Sequence, residues 1–267
     1  MISERIYLSD DKVAYIDTYA VVDARIAPRD AMLVIPGGGY ASVCFDREGE
    51  RIAHAYLAKG MNCFVLNYHV GMEHNYPTHL LEAAKAIVHI KENAEKYNID
   101  PERVFAVGFS AGGHLCGTLA TKYMVAEEIL GKEKGYIRPR AVILSYPVVT
   151  AMHKTHKGSY MHLTGMPFDE IPEDIRALYS HELHVDKDTS PAFIWHTATD
   201  TTVPPVGSLR LAEAYIDAGV RVELHLYPDG PHGMALGLEH SSGGNAGFVN
   251  PIASAWVDAS FKFIKSV

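Results

Sequence analysis

Three side chains in this sequence could together make a nucleophile. Ser110 stands in Gly108-Phe109-Ser110-Ala111-Gly112, directly after the apolar run Val104-Phe105-Ala106-Val107 and before a helix-compatible segment. A serine hydroxyl attacks a carbonyl only when a base takes its proton, and the base works best when a carboxylate orients it. Gly-x-Ser-x-Gly between a strand and a helix supplies the first requirement of that chemistry. The sharp turn pushes the serine side chain out of the backbone, and glycines at both flanks leave room where a Cβ would clash. The helix that follows offers free N–H groups and the positive end of its dipole to a developing oxyanion. Five residues of this kind also describe an ordinary glycine-rich turn with a plain serine, so the partners decide.

Asp200 and His232 are those partners. The strand-like run Phe193-Ile194-Trp195-His196 leads into Thr197-Ala198-Thr199-Asp200, and the strand 222–227 leads into Pro228-Asp229-Gly230-Pro231-His232-Gly233. Both residues follow a strand, and the order serine, acid, histidine is the one found with strand-turn-helix nucleophiles. Taken singly, Asp200 also reads as a turn residue capping the next helix and His232 as a loop histidine; the joint order and position favour the catalytic reading. Asp229 is local and reads as a turn former. Asp186 and Asp188 precede their strand, His225 lies within one as a packed side chain, and His114 reads as a local structural hydrogen bonder. His240, beside the Gly/Ser-rich loop 241–244, stays open.

An oxyanion hole needs two N–H donors. Ala111, next after the nucleophile, supplies one. The second is expected from the loop Pro36-Gly37-Gly38-Gly39-Tyr40, where the glycines bring backbone close to a substrate oxygen. Gly38 and Gly39 are equal candidates, and Tyr40 is expected beside the acyl carbon as a substrate-binding residue. The same loop is not a phosphate loop, since no Lys-Ser/Thr follows, nor does it have dinucleotide-binding spacing.

The elements that must carry these residues alternate. Strand-like runs cover residues 12–22 (a strand or hairpin), 31–35, 62–67, 103–107, 141–145, 191–196 and 221–227. Helical spacing covers 48–59, 79–97, 113–125, 205–218 and 252–264, with a shorter helix-like patch at 169–176. Short, fully apolar strands separated by helices predict an α/β fold with a mostly parallel central sheet covered on both faces. The 267 residues show neither an internal repeat nor a linker, which predicts a single domain over 1–267. The long interval between the strands at 141–145 and 191–196 predicts a cap-like insertion around residues 150–190. His153, His156, His162 and His181 lie in it. No carboxylate or cysteine stands at ligand spacing, so they read as loop histidines and no metal is expected.

Composition narrows the partners. Net charge is −8, and no Lys/Arg cluster marks a nucleic-acid or anionic-membrane surface. No apolar run approaches membrane-span length, and residues 1–6 lack a signal-peptide core, which predicts a cytoplasmic protein. Cys44, Cys63 and Cys116 read as reduced, mostly buried thiols; Cys44, in a loop, is the one candidate for thiol chemistry. Oligomeric state is left open, with a homo-oligomer allowed.

The motifs Pro36-Gly37-Gly38-Gly39-Tyr40, Glu48-Gly49-Glu50, Phe64-Val65-Leu66-Asn67-Tyr68, Ile99-Asp100-Pro101, the elbow at 108–115 and Asp200-Thr201-Thr202-Val203-Pro204 with Ser208 resemble the α/β-hydrolase esterases of the acetyl-xylan esterase and lipase-like carbohydrate esterase group. The resemblance runs from about Met32 to His232. It implies a serine esterase that removes short acyl groups, often acetyl, from sugars or xylo-oligosaccharides, with Ser110 as nucleophile, Asp200 as orienter and His232 as base, and with no cofactor. Pro36 stands where many lipase relatives have histidine, which fits the sugar-ester subgroup. His69 stands where relatives often have arginine, which touches only a structural ion pair. The same scaffold also serves formamidases, peptidases and thioesterases, or a binder without catalysis.

Overall fold

A computed structural model describes residues 1–23 and 25–267. Eight strands form one sheet: β1 (Arg5–Tyr7), β2 (Tyr15–Tyr19), β3 (Arg29–Ile35), β4 (Asn62–Asn67), β5 (Ile99–Phe109), β6 (Val142–Ser145), β7 (Ala192–Thr197) and β8 (Val222–Tyr227). Their spatial order is β1-β2-β4-β3-β5-β6-β7-β8. β1 and β2 are antiparallel to their neighbours, while β4, β3, β5, β6, β7 and β8 pair in parallel. This is the α/β arrangement with a mostly parallel sheet that the alternating pattern predicts.

Burial on both faces explains why the inner strands are apolar at their centres. In β3, Leu33 and Ile35 face one core with Phe64 and Leu66 of β4, while Met32 and Val34 face the other with Cys63 and Val65. A strand covered on both faces has no solvent side to carry polar residues. The first core takes α2 (Thr78–Glu92), α4 (Ser110–Leu130) and α7 (Val206–Asp217) through Leu80, Ile87, Leu119 and Leu211. The second takes α1 (Arg51–Ala58) and α8 (Trp256–Lys265) through Ile52, Tyr56, Trp256 and Phe263. Trp256 stacks on Trp195 of β7 with centroids 5.2 Å apart, which fixes α8 against the sheet.

The structure adjusts several predicted boundaries. The helix expected over 48–59 begins as a π-helical turn, Phe45–Glu50, before α1. The helix expected over 79–97 divides at Asn93 into α2 and the single turn α3 (Ala94–Tyr97), which ends at Asn98 in a left-handed conformation. α8 is preceded by a 3-10 turn at Ala253–Ala255. β1 has no counterpart among the expected strands, since three residues are too few to display a period. Between β6 and β7 lie α5 (Lys157–Thr164), α6 (Glu173–Leu178) and short 3-10 turns. Among the described residues, no helix is long and apolar enough to cross a membrane.

β5 sits between β3 and β6, and α4 starts at the residue after it. The chain can reverse so tightly only because two positions lack a side chain. A Cβ on Gly108 would lie 2.2 Å from the Gly112 carbonyl oxygen, and one on Gly112 would lie 2.2 Å from that of Ile35. Both obstacles are backbone and cannot rotate away. Gly112→Ala is therefore expected to lower stability by about 1–3 kcal/mol through overpacking, measured as a reduced urea midpoint with an unchanged m-value.

Candidate active site

Ser110 is the first residue of α4 and has φ +54. A left-handed conformation is costly for a residue with a Cβ. Here it turns the Ser110 side chain toward the strand ends, where it meets the loop after β8. Ser110 Oγ donates to His232 Nε2 at 2.8 Å, and His232 Nδ1–H donates to Asp200 Oδ2 at 2.7 Å. The donor directions follow from Asp200, which as a carboxylate can only accept. Sequence positions up to 122 residues apart thus come together in hydrogen-bonded order.

Asp200 is 5 % exposed and is more fully satisfied than spacing alone indicates. Oδ1 accepts the backbone N–H groups of Thr202 and Val203, both at 2.9 Å. Oδ2 accepts from His232 and also from His196 Nε2 at 3.1 Å. His196 is fully buried at the end of β7. Its Nε2–H is shared with the Val203 carbonyl, and its Nδ1 accepts from the Ser208 hydroxyl at 2.8 Å. Burial pushes the Asp200 carboxyl up, but the donors from His196, His232 and Val203 outweigh it and hold the group well below the usual carboxylate range.

The loop after β3 closes over Ser110. Gly37 N–H is taken by the Glu48 carboxylate at 2.9 Å. Neither Gly38 nor Gly39 donates its N–H to a protein group among the described residues, and both line the cavity that Ser110 faces. Ala111 is buried in the first turn of α4, where N–H groups have no intrahelical acceptor. The two glycines and Ala111 are therefore available as donors beside Ser110.

Tyr40 departs from expectation. Its ring is 1 % exposed, packs against Tyr68 and His79, and does not line the cavity. Its hydroxyl donates to His114 Nδ1 at 2.8 Å, while His114 Nε2–H donates to the Tyr179 carbonyl at 2.9 Å. With φ +56 the backbone turns the ring back into the core rather than toward substrate. The substrate-binding expectation for Tyr40 is corrected: it anchors the glycine loop from beneath. His114 is structural but not local, since its ring partners lie 74 and 65 positions away; burial pushes its pKa down to about 4, so it stays neutral.

Two residues of this site carry no spacing signal. Glu48 is 2 % exposed; besides Gly37 N–H, it accepts from Tyr146 O–H at 2.8 Å. Tyr146, on the loop after β6, also accepts Ala235 N–H at 3.0 Å, and its ring packs edge-on to His232 at 5.0 Å. One carboxylate thereby ties together loops from the ends of β3, β6 and β8.

The other candidates separate from the site. Asp229 offers only its carbonyl, to Asn250; His225 is paired with Glu223; and His240 gives its carbonyl to Arg51. His153 accepts from Arg210 and His181 donates to the His114 carbonyl. His156 and His162 do line the cavity, which brings the inserted segment over Ser110 as a wall. Cys44 also lines it, but burial and the nearby Glu48 carboxylate push its thiol up, away from the reactive thiolate. The cavity measures about 280 Å³.

The Asp200 shift carries a pH prediction. A carboxylate held below its ordinary value stabilises the fold above that value and loses the effect as pH falls through the lowered one. Asp200→Asn is therefore expected to cost about 1–3 kcal/mol near pH 7, with a smaller difference from wild type near pH 3, measured by urea unfolding at both pH values.

The chain is similar to known proteins over most of its length. The BD-FAE family profile matches residues 16–215, which include Ser110 and Asp200 and end before His232. Endo-1,4-beta-xylanase B of Butyrivibrio fibrisolvens is 37% identical over 227 residues, 82% of this chain and 34% of that protein. Acetylxylan esterase of Xylanibacter ruminicola is 30% identical over 210 residues, 78% of this chain and 41% of that protein. The chain thus spans well under half the length of these two relatives. The crystal structure of an acetyl ester-xyloside bifunctional hydrolase from Caldicellulosiruptor lactoaceticus superposes with a TM-score of 0.82 at 27% identity, covering 99% of this chain and 96% of the other. With the sheet order, the elbow and a family match over three quarters of its length, the chain belongs to the BD-FAE family and has the α/β-hydrolase fold.

Proposed function

We infer that this protein is a serine carboxylesterase that removes short acyl groups, acetyl foremost, from sugars or short oligosaccharides. The observation that carries the reading is the hydrogen-bonded line Ser110, His232, Asp200, at 2.8 and 2.7 Å, opening on a cavity of about 280 Å³. Similarity to an acetylxylan esterase and to an acetyl ester-xyloside hydrolase supports the substrate class.

The proposed steps use only groups already described. His232 Nε2 takes the Ser110 proton as Oγ attacks the ester carbonyl carbon. The resulting imidazolium is paired with the Asp200 carboxylate. The carbonyl oxygen, now an oxyanion, accepts from Ala111 N–H and from Gly38 or Gly39 N–H. The carbon–oxygen bond to the alcohol breaks, and His232 returns its proton to the leaving alcohol. Water, deprotonated by His232, then attacks the acyl-serine, and Ser110 is released with the carboxylic acid. His196 acts only through Asp200, as a positioning residue. Its Nε2–H donates to the carboxylate and leaves Oδ2 accepting from two directions.

Ser110→Ala is expected to lower kcat/KM for 4-nitrophenyl acetate on the order of 10³-fold or more while leaving the urea midpoint close to wild type. A cavity walled by His156 and His162 favours short acyl chains. Acetyl and propionyl nitrophenyl esters are expected to turn over at least about ten-fold faster in kcat/KM than octanoyl, a difference of about 1.4 kcal/mol. Preference for octanoyl, or for nitroanilides over esters, would replace the acetylesterase reading with a lipase-like or amidase one.

A further inference from the structure

Arg47 carries a guanidinium that the proposed steps leave unused. It is half-buried on the wall of the Ser110 cavity. It also walls a second cleft of about 310 Å³, lined on its far side by Ser242, Asn245 and Phe248. The two clefts share Arg47 and Cys44, so a ligand reaching from one to the other passes this guanidinium.

The groups around Arg47 leave it without a fixed counter-ion. Among the described residues it forms no ion pair, in contrast to Arg5, Arg25 and Arg103, each held by an aspartate. The Glu48 carboxylate beside it is occupied by Gly37 N–H and Tyr146 O–H. Asp46 lies exposed on the outer cleft, and Arg51 there is turned to the His240 carbonyl. The Arg47 guanidinium lies over the Phe248 ring, 4.7 Å from its centroid. Stacking of this kind occupies the flat face of the group; among the described residues its in-plane N–H groups meet the Cys44 thiol, a weak acceptor that a carboxylate held by two parallel hydrogen bonds would displace. The chain as a whole is strongly acidic, at −8, so an anionic substrate is otherwise repelled. A fixed cation beside the nucleophile offsets that repulsion at one place.

We propose that Arg47 is a specificity-determining residue that binds a carboxylate on the alcohol part of the substrate, so that acyl esters of acidic sugars (uronates) are preferred to those of neutral sugars. The sugar ring extends from the Ser110 cavity toward Phe248, with the Asn245 amide nitrogen to meet a ring hydroxyl. This rests on the ester-hydrolase reading above.

The test uses monoacetylated methyl glucuronide and monoacetylated methyl glucoside, which differ by a carboxylate in place of a hydroxymethyl group. The wild-type protein is expected to favour the glucuronide about ten-fold or more in kcat/KM, the worth of one charge-assisted contact. The ratio should shrink as sodium chloride is raised. Arg47→Gln should bring the ratio to one or below, and Arg47→Lys should keep part of it. A wild-type ratio near one, or a ratio unaltered in Arg47→Gln, overturns the proposal while ester hydrolysis stands, provided 4-nitrophenyl acetate is turned over. Failure of all three substrates overturns both readings.

Discussion

The structure depends on holding Ser110 at φ +54, a conformation that costs a residue with a Cβ about 1–3 kcal/mol. Nothing at Ser110 itself favours that state. It is imposed by the strand in register between β3 and β6, by the immediate start of α4, and by the approach of Gly112 to the end of β3. The fold supplies the surplus from two cores, one on each face of the sheet. The strain in turn makes the serine hydroxyl point at the strand ends rather than into α4.

Two carboxylates then hold the surrounding loops in place, and both are buried without being left unpaired. Glu48 joins the loops after β3, β6 and β8 through Gly37, Tyr146 and Ala235. Asp200 accepts four N–H donors, two from backbone and two from histidines. A buried charge with an unmet hydrogen-bonding site is expensive, and satisfying every site converts that liability into geometric precision. The same satisfaction holds Asp200 as a carboxylate facing His232 Nδ1–H.

Much of this was legible in the sequence because the relevant signals are local. Most inner strands centre on a short apolar run, and Ser110, Asp200 and His232 each lie within five residues after a strand, so strand order brings them to the same edge of the sheet. Glu48 and Tyr146 could not be found this way. Their contact spans 98 positions and arises only when loops close over the sheet. His196 resembled any other buried strand residue, since its role depends on the turn after it. Tyr40 misled because a tyrosine following three glycines suggests an exposed tip, whereas its positive φ folds the ring inward onto His79 and His114.

The central proposal is that Ser110 is a nucleophile activated by His232, supported by the 2.8 Å hydrogen bond between them. Labelling the wild-type protein with a serine-reactive fluorophosphonate and mapping the adduct by peptide mass spectrometry tests it most directly. A single adduct on Ser110, formed many-fold more slowly in His232→Ala, is expected. Modification of another serine, or equal labelling of Ser110 without His232, would contradict it.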